Sequence, residues 1–189
     1  MRLEPSYLYQ LKEYTIPQIL FKQAEALGDR VAIRKKSLGI WRKISWREYL
    51  EFVKYTCLGL KQIGLKRGEH VAIIMDNEPE WLFSELGAQA MGAVTMNLFT
   101  SSTAKELATL LNRFDARVVF AQDQEQVDKL LEIREEIRGV DRVVFVDPTG
   151  MSSYDDPWLI SFKELLKLGK ELDEKKPDLF QNELWMGKK

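Results

Sequence analysis

From residue 70 onward, short apolar runs alternate with amphipathic ones, and this rhythm predicts the architecture. Runs rich in β-branched residues fall at 70–75, 93–98, 117–121 and 142–146, with amphipathic stretches between them at 79–91, 103–114 and 124–137. The apolar runs lack strict two-residue alternation, as strands covered on both faces do. Each intervening stretch is long enough for the helical crossover that parallel neighbours require. The pattern therefore predicts an α/β fold with a parallel βαβ sheet layered with helices.

A helix and a β-hairpin are predicted to precede this sheet. The helix spans 15–27 and ends at Gly28. Two β-rich runs at 31–36 and 40–44 flank Ser37-Leu-Gly39, the spacing of a hairpin whose solvated part is Arg34-Lys-Lys36. A second helix carries Trp46, Leu50, Val53, Cys57 and Leu60 on one face, with Arg47, Glu51, Lys54 and Lys61 opposite, and ends near Gly64. Helix starts are marked by capping-box sequences: Thr15-Ile-Pro-Gln18, Ser45-Trp-Arg-Glu48, Asn77-Glu-Pro-Glu80, Thr103-Ala-Lys-Glu106 and Ser161-Phe-Lys-Glu164. In such a box a short polar side chain accepts a backbone N–H while the Glu or Gln reaches back to the cap.

After residue 146 the pattern changes. Asp147-Pro-Thr-Gly150 and Ser152-Ser-Tyr-Asp-Asp-Pro157 predict a loop. An amphipathic helix with Phe162, Leu165, Leu166 and Leu168 follows. The charged stretch 171–177 lacks an apolar period, and Trp185 has no evident partner. The chain thus divides into a domain over 1–147 and a loop, helix and charged tail over 148–189.

Charge and composition narrow the function. With 28 basic and 29 acidic residues the net charge is −1, so no bulk field draws nucleic acid or an anionic membrane. The single cysteine, Cys57, excludes an internal disulfide and fits a reducing compartment. No secretory signal pattern opens the chain, and no run approaches the roughly 20 apolar residues of a membrane span. A soluble, cytoplasmic protein is expected.

Candidate chemistry is sparse. His70 is the sole histidine and no Ser or Asp arrangement around it suggests a triad. Cys57 lies on an apolar helix face, where thiols behave as small hydrophobes. No His, Cys or carboxylate spacing suggests a metal site. Gly59, Gly64 and Gly68 lack the Gly-Lys-Ser/Thr of a phosphate loop. Arg34-Lys-Lys36 lacks the interleaved aromatics of a single-strand binder. Thr100, Ser101, Ser102 and Thr103 sit between a strand end and a helix start, where hydroxyls and free N–H groups either cap the helix or hold an anion. Both readings stay open, and no catalytic or metal-binding residue is assigned.

An ordered set of segments resembles the N-terminal part of AMP-forming acyl-CoA synthetases, the adenylate-forming enzymes. They are Thr15-Ile-Pro, Gly28-Asp-Arg-Val-Ala-Ile33, Trp41 through Trp46-Arg-Glu, Gly59-Leu with Gly64-Leu, Gly68-Glu-His-Val-Ala-Ile73, Asn77-Glu-Pro-Glu-Trp81, Gly92-Ala-Val-Thr95 and Ala116-Arg-Val-Val-Phe120. Asn77-Glu-Pro-Glu-Trp81, with Tyr14 and Thr15-Ile-Pro, is most similar to long-chain fatty acyl-CoA synthetases. Asn97-Leu-Phe99 departs from the family, which usually has proline followed by an aromatic or aliphatic pair. The resemblance covers about residues 15–147.

It implies an incomplete N-terminal portion of the adenylate-forming fold. Such enzymes join a fatty acid to CoA through an acyl-adenylate, using ATP and Mg²⁺ and releasing AMP and pyrophosphate. The family's Ser/Thr/Gly-rich loop ending in Pro-Lys-Gly does not occur in the 189 residues. The resemblance therefore implies a chain truncated before that loop, inactive alone and binding none of these cofactors. A complementing C-terminal polypeptide or self-association is the expected partnership. Half of a split synthetase and a non-catalytic binding module are the alternatives.

Overall fold

A computed structural model describes residues 13–186. Helix α1 (Ile16–Leu27) leads into a two-stranded antiparallel hairpin, β1 (Val31–Ser37) and β2 (Ile40–Ser45), followed by the long helix α2 (Trp46–Gln62). Then come β3 (His70–Ile74), α3 (Pro79–Met91), β4 (Val94–Leu98), α4 (Ala104–Phe114), β5 (Ala116–Ala121), α5 (Gln124–Glu132) and β6 (Arg142–Phe145). The chain closes with β7 (Leu159–Ser161), α6 (Phe162–Lys175) and α7 (Leu179–Met186).

Strands β3 to β7 form one all-parallel sheet in the order β4-β3-β5-β6-β7. Successive side chains of a strand point to opposite faces, and here both faces are buried. Val71, Ile73, Val118, Phe120 and Val144 face a layer built by α1, α2, α3, α6 and α7. Ala72, Ile74, Val119, Ala121 and Val143 face α4 and α5. This two-sided burial explains the apolar runs without alternation.

Helix α2 is the spine of the first layer. Gly59 lets α6 come close, since a Cβ there would overlap the Leu165 carbonyl, and reciprocally a Cβ at Gly169 would overlap the Tyr55 carbonyl. Lys54 and Asp173 pair across the same contact at 2.5 Å. On the α3 side, Phe52 stacks on Phe83 with ring centroids 4.5 Å apart.

Helix α7 is tied to this layer by Glu183, whose side chain is only 6% exposed. It accepts from Lys61 Nζ at 2.6 Å and from Arg67 at 3.1 Å, and the same guanidinium donates to its backbone carbonyl at 2.7 Å. Burial pushes the Glu183 carboxyl up, but hydrogen bonds and charge from Lys61 and Arg67 outweigh it and hold the group below its ordinary range. Gln18 donates to the Leu184 carbonyl at 2.9 Å, and Trp185 meets Tyr14 and Phe21 edge-on at 6.2 and 6.1 Å.

Several expectations need correction. Ser45 and Thr103 form reciprocal capping boxes with Glu48 and Glu106, and Thr15 N–H donates to Gln18. Asn77 caps nothing: α3 begins at Pro79, and its N-cap residue is the extended Glu78. The expected helix over 124–137 stops at Glu132. Turns carry the rest, keeping Ile133 and Ile137 buried without a continuous helix. A strand, β7, joins the sheet where only a loop and a helix were expected. The charged stretch 171–177 continues α6 to Lys175: Leu172 packs on the core, Asp173 pairs with Lys54, and Glu174 and Lys175 face outward. Trp185 does find partners, across 164 or more residues of sequence, and remains 44% exposed. Of the solvated triplet, Arg34 and Lys36 are exposed, but Lys35 pairs with Glu78 at 2.5 Å.

Candidate functional site

In an open α/β sheet, ligands favour the crevice where successive crossovers leave on opposite faces, at the carboxyl ends of the strands. Here α3, which follows β3, lies on one face and α4, which follows β4, on the other. The order β4-β3-β5 therefore places that crevice between the ends of β3 and β5. Asp76 and Asn77 follow β3, Thr100 follows β4, and Gln122 and Asp123 follow β5.

These loop ends are stitched to one another. Asp76 N–H donates to Gln122 Oε1 at 2.6 Å, and Gln122 N–H donates to the Ile74 carbonyl at 3.0 Å. Thr100 Oγ1 donates to Asp76 Oδ1 at 2.9 Å. Lys129 donates to the Thr100 carbonyl at 2.8 Å and pairs with Glu125, also at 2.8 Å. Asp123 accepts from Gln126 N–H at 3.2 Å and so caps α5. Hydrogen bonds thus tie the loop ends to one another, carboxylates edge the crevice, and a hollow of about 310 Å³ opens beside Asp76, Asn77 and Trp81.

The four hydroxyl residues after β4 take separate roles. Thr100 is bound to Asp76. Thr103 is the N-cap of α4: its Oγ1 accepts from Glu106 N–H at 3.3 Å and donates to the Glu106 carboxylate at 2.9 Å. Hydrogen bonds from the Thr103 backbone and side chain hold Glu106 below the usual carboxylate range. Ser101 is exposed and Ser102 half-buried, and both line an open hollow of about 800 Å³ beside Phe99 and Leu110. Phe99 is 80% exposed, while Asn97, the residue departing from the family pattern, donates to Glu85 at 3.3 Å.

ATP, Mg²⁺ and CoA are what the family resemblance implies, and the described residues do not by themselves fit a nucleoside triphosphate. The start of α4 already holds its own carboxylate, Glu106, and that of α5 is capped by Asp123, so phosphate charge would meet like charge at both. Among the described residues no group of three or more His, Cys, Asp or Glu converges as a metal site. The hydroxyls that meet carboxylates, Thr100 on Asp76 and Thr103 on Glu106, are engaged in the loop contacts and the helix cap. His70 stacks on Phe114 at 4.6 Å at the opposite end of β3. Cys57 is fully buried in α2, where burial, chiefly, raises its thiol pKa to about 12.

Asp76, Gln122 and Lys129 are crevice residues that the sequence reading did not single out. A strand-order signal existed for the first two, since each directly follows a predicted strand. The order itself, with β3 between β4 and β5, was not readable from spacing.

The crossover pattern places these loop ends at the switch point of a parallel α/β sheet, and comparison with known proteins gives its class. The chain belongs to the AMP-binding enzyme family, whose model matches residues 20–178. More particularly, its sequence is similar to two curated long-chain-fatty-acid–CoA ligases. ACSBG2 of Xenopus laevis is 26% identical over 184 residues, covering 94% of this chain and 24% of that protein. ACSBG1 of Rattus norvegicus is 28% identical over 181 residues, with the same coverage. The chain spans about a quarter of the length of these relatives. Its fold is similar to that of the anthranilate CoA ligase AuaEII in complex with anthranoyl-AMP, with a TM-score of 0.72 at 20% identity, covering 82% of this chain and 28% of that one. Acetoacetyl-CoA synthetase from Streptomyces lividans gives a TM-score of 0.70 at 16% identity, covering 79% of this chain and 24% of that one. Among the described residues no helix is long and apolar enough to cross a membrane.

Proposed function

We propose that this chain is the N-terminal scaffold of a long-chain fatty acid–CoA ligase. The complete enzyme would join a fatty acid to CoA through an acyl-adenylate, with ATP consumed and AMP and pyrophosphate released. The observation that carries this reading is the match to long-chain-fatty-acid–CoA ligases over 94% of the chain. In such an enzyme the chain's work is mechanical. Its sheet and the α2–α3–α6 layer hold the β3 and β5 ends rigid, and residues supplied elsewhere bind the nucleotide and the acyl group. The loop ends tied to one another and the carboxylates at the starts of α4 and α5 support this division of labour.

The proposal is tested by fatty-acid-dependent pyrophosphate release. The 189-residue chain alone is expected to release none, whereas a chimera joining it to the remaining three-quarters of the rat relative is expected to be active with long-chain acids. Activity of the isolated chain overturns the scaffold reading. A folded chimera that activates only acids of another class overturns the substrate. Activity regained by mixing the two pieces unjoined would favour the split enzyme.

A further inference from the structure

We infer that the β1–β2 hairpin is a peripheral membrane contact that takes an anionic lipid surface. The inference stands independently of the ligase reading. Residues Val31 to Ser45 contain Arg34, Lys35, Lys36, Arg42 and Lys43 and no acidic residue, although the whole chain carries −1. Balanced overall charge excludes a bulk field, not a local one. The register sets Arg34 opposite Lys43 and Lys36 opposite Trp41. Directly opposed residues project to the same face, so three cations surround one indole, and all four side chains are exposed.

Lys35 is the exception, turned to Glu78 at 2.5 Å and thereby pinning the hairpin to the start of α3. Arg34, Lys36, Arg42 and Lys43 form no ion pair within 4.0 Å among the described residues. The tip is apolar: Leu38 is 97% exposed and Ile40 69%, with Trp41, level with Lys36 just behind them, 60% exposed. Isolated exposed apolar residues are ordinary, but three within a four-residue turn are concentrated. The turn is also pre-shaped, with positive φ at both Leu38 and Gly39, so docking requires little ordering.

An apolar tip behind which cations and an indole form a collar matches the layering of a lipid interface. Acyl chains receive aliphatic groups, the headgroup level favours tryptophan, and lipid phosphates attract Lys and Arg. The dimensions agree. Lys36 lies two residues behind Leu38, roughly 7 Å along the strand, so a tip inserted about 5–10 Å brings Lys36 and Trp41 level with the headgroups. Nucleic acid would use the cations and the indole but leaves Leu38 and Ile40 without a role.

Co-sedimentation of the full chain with phosphatidylcholine vesicles, with and without phosphatidylglycerol, tests the proposal. Binding is expected only to the mixed vesicles, and it should weaken as salt rises. Each cation near such a surface contributes about fivefold to partitioning, so K36E/K43E should lower it at least about tenfold. L38S/W41S should lower it without removing its salt dependence. K167E, at a 71% exposed site on α6, should leave it unchanged. Unaltered circular-dichroism melts show that the variants fold, and K36E/K43E, which touches no apolar group, remains decisive if L38S/W41S does not. Absence of binding to the mixed vesicles, equal binding to both kinds, or indifference to both variants overturns the proposal. So does hairpin-dependent retention of single-stranded DNA by a chain that ignores vesicles.

Discussion

Glu183 predicts an asymmetry that two variants and a thermal melt can measure. Its carboxylate is 6% exposed, while the Lys61 and Arg67 side chains that hold it are 39% and 36% exposed. Removing the charge by Glu183→Gln leaves two cations that regain water readily, so the loss is that of charge-assisted hydrogen bonds, about 2 kcal/mol. Removing the cations by Lys61→Met with Arg67→Met strands a buried carboxylate, which costs about 3–5 kcal/mol. At about 2–4 °C per kcal/mol for a chain of this size, the melting temperature should fall about 4–8 °C in the first variant and about twice that in the second. Acidity adds a second reading. The folded group sits below its ordinary value of 4.5. Its stabilisation is therefore complete above that value and is lost as pH falls through the lower folded pKa. The gap between wild type and Glu183→Gln should close on acidification below about pH 4.5 and stay constant above it. If Glu183→Gln proves the more damaging change, or if the gap widens in acid, the assignment of Glu183 as a buried anion serving two half-exposed cations is wrong.

Two further predictions concern the α2 layer. Gly169→Ala drives a methyl into the Tyr55 backbone carbonyl and should cost about 3 kcal/mol or more in urea unfolding. Gly139→Ala, where a Cβ meets nothing closer than 3.5 Å, should stay within about 0.5 kcal/mol of wild type. Cys57, with a thiol pKa raised to about 12 by burial foremost, should resist a thiol reagent in the native protein at mildly alkaline pH. It should react fully once the chain is denatured. Rapid native labelling would mean that α2 opens far more readily than its packing implies.

Where the chain's local chemistry sufficed, the fold was legible in it. Ser45 and Thr103 start their helices as their capping boxes require, and the hairpin turns at Leu38 and Gly39 between the two β-rich runs. Asn77 misled because a box spacing does not fix the backbone: Glu78, next in line and extended, is the N-cap, and α3 begins at Pro79. Leu159, Ile160 and Ser161 form a strand too short to carry a period, and only the waiting edge of β6 makes them one. Ile133 and Ile137 kept helical spacing although turns, not helix, bury them. The crevice was the least legible part. Thr100 was visible as a hydroxyl near a helix start, but its bond to Asp76 depends on β3 lying beside β4, a fact of strand order.

The close contact of α2 with α6 also sets a clock on synthesis. Gly59 and the Leu165 carbonyl it must accommodate lie about 106 residues apart, which at about 5–20 residues per second is some 5–20 s of translation. Throughout that interval the newly made α2 leaves the ribosome with the face that carries Tyr55 and Gly59 deprived of the helix that covers it. The sheet can assemble strand by strand behind it, but the layer cannot close until α6 emerges. Until then that face of α2 is open to chaperones and to wrong partners, and the rate at which the intervening residues are made becomes a determinant of how often the layer closes correctly.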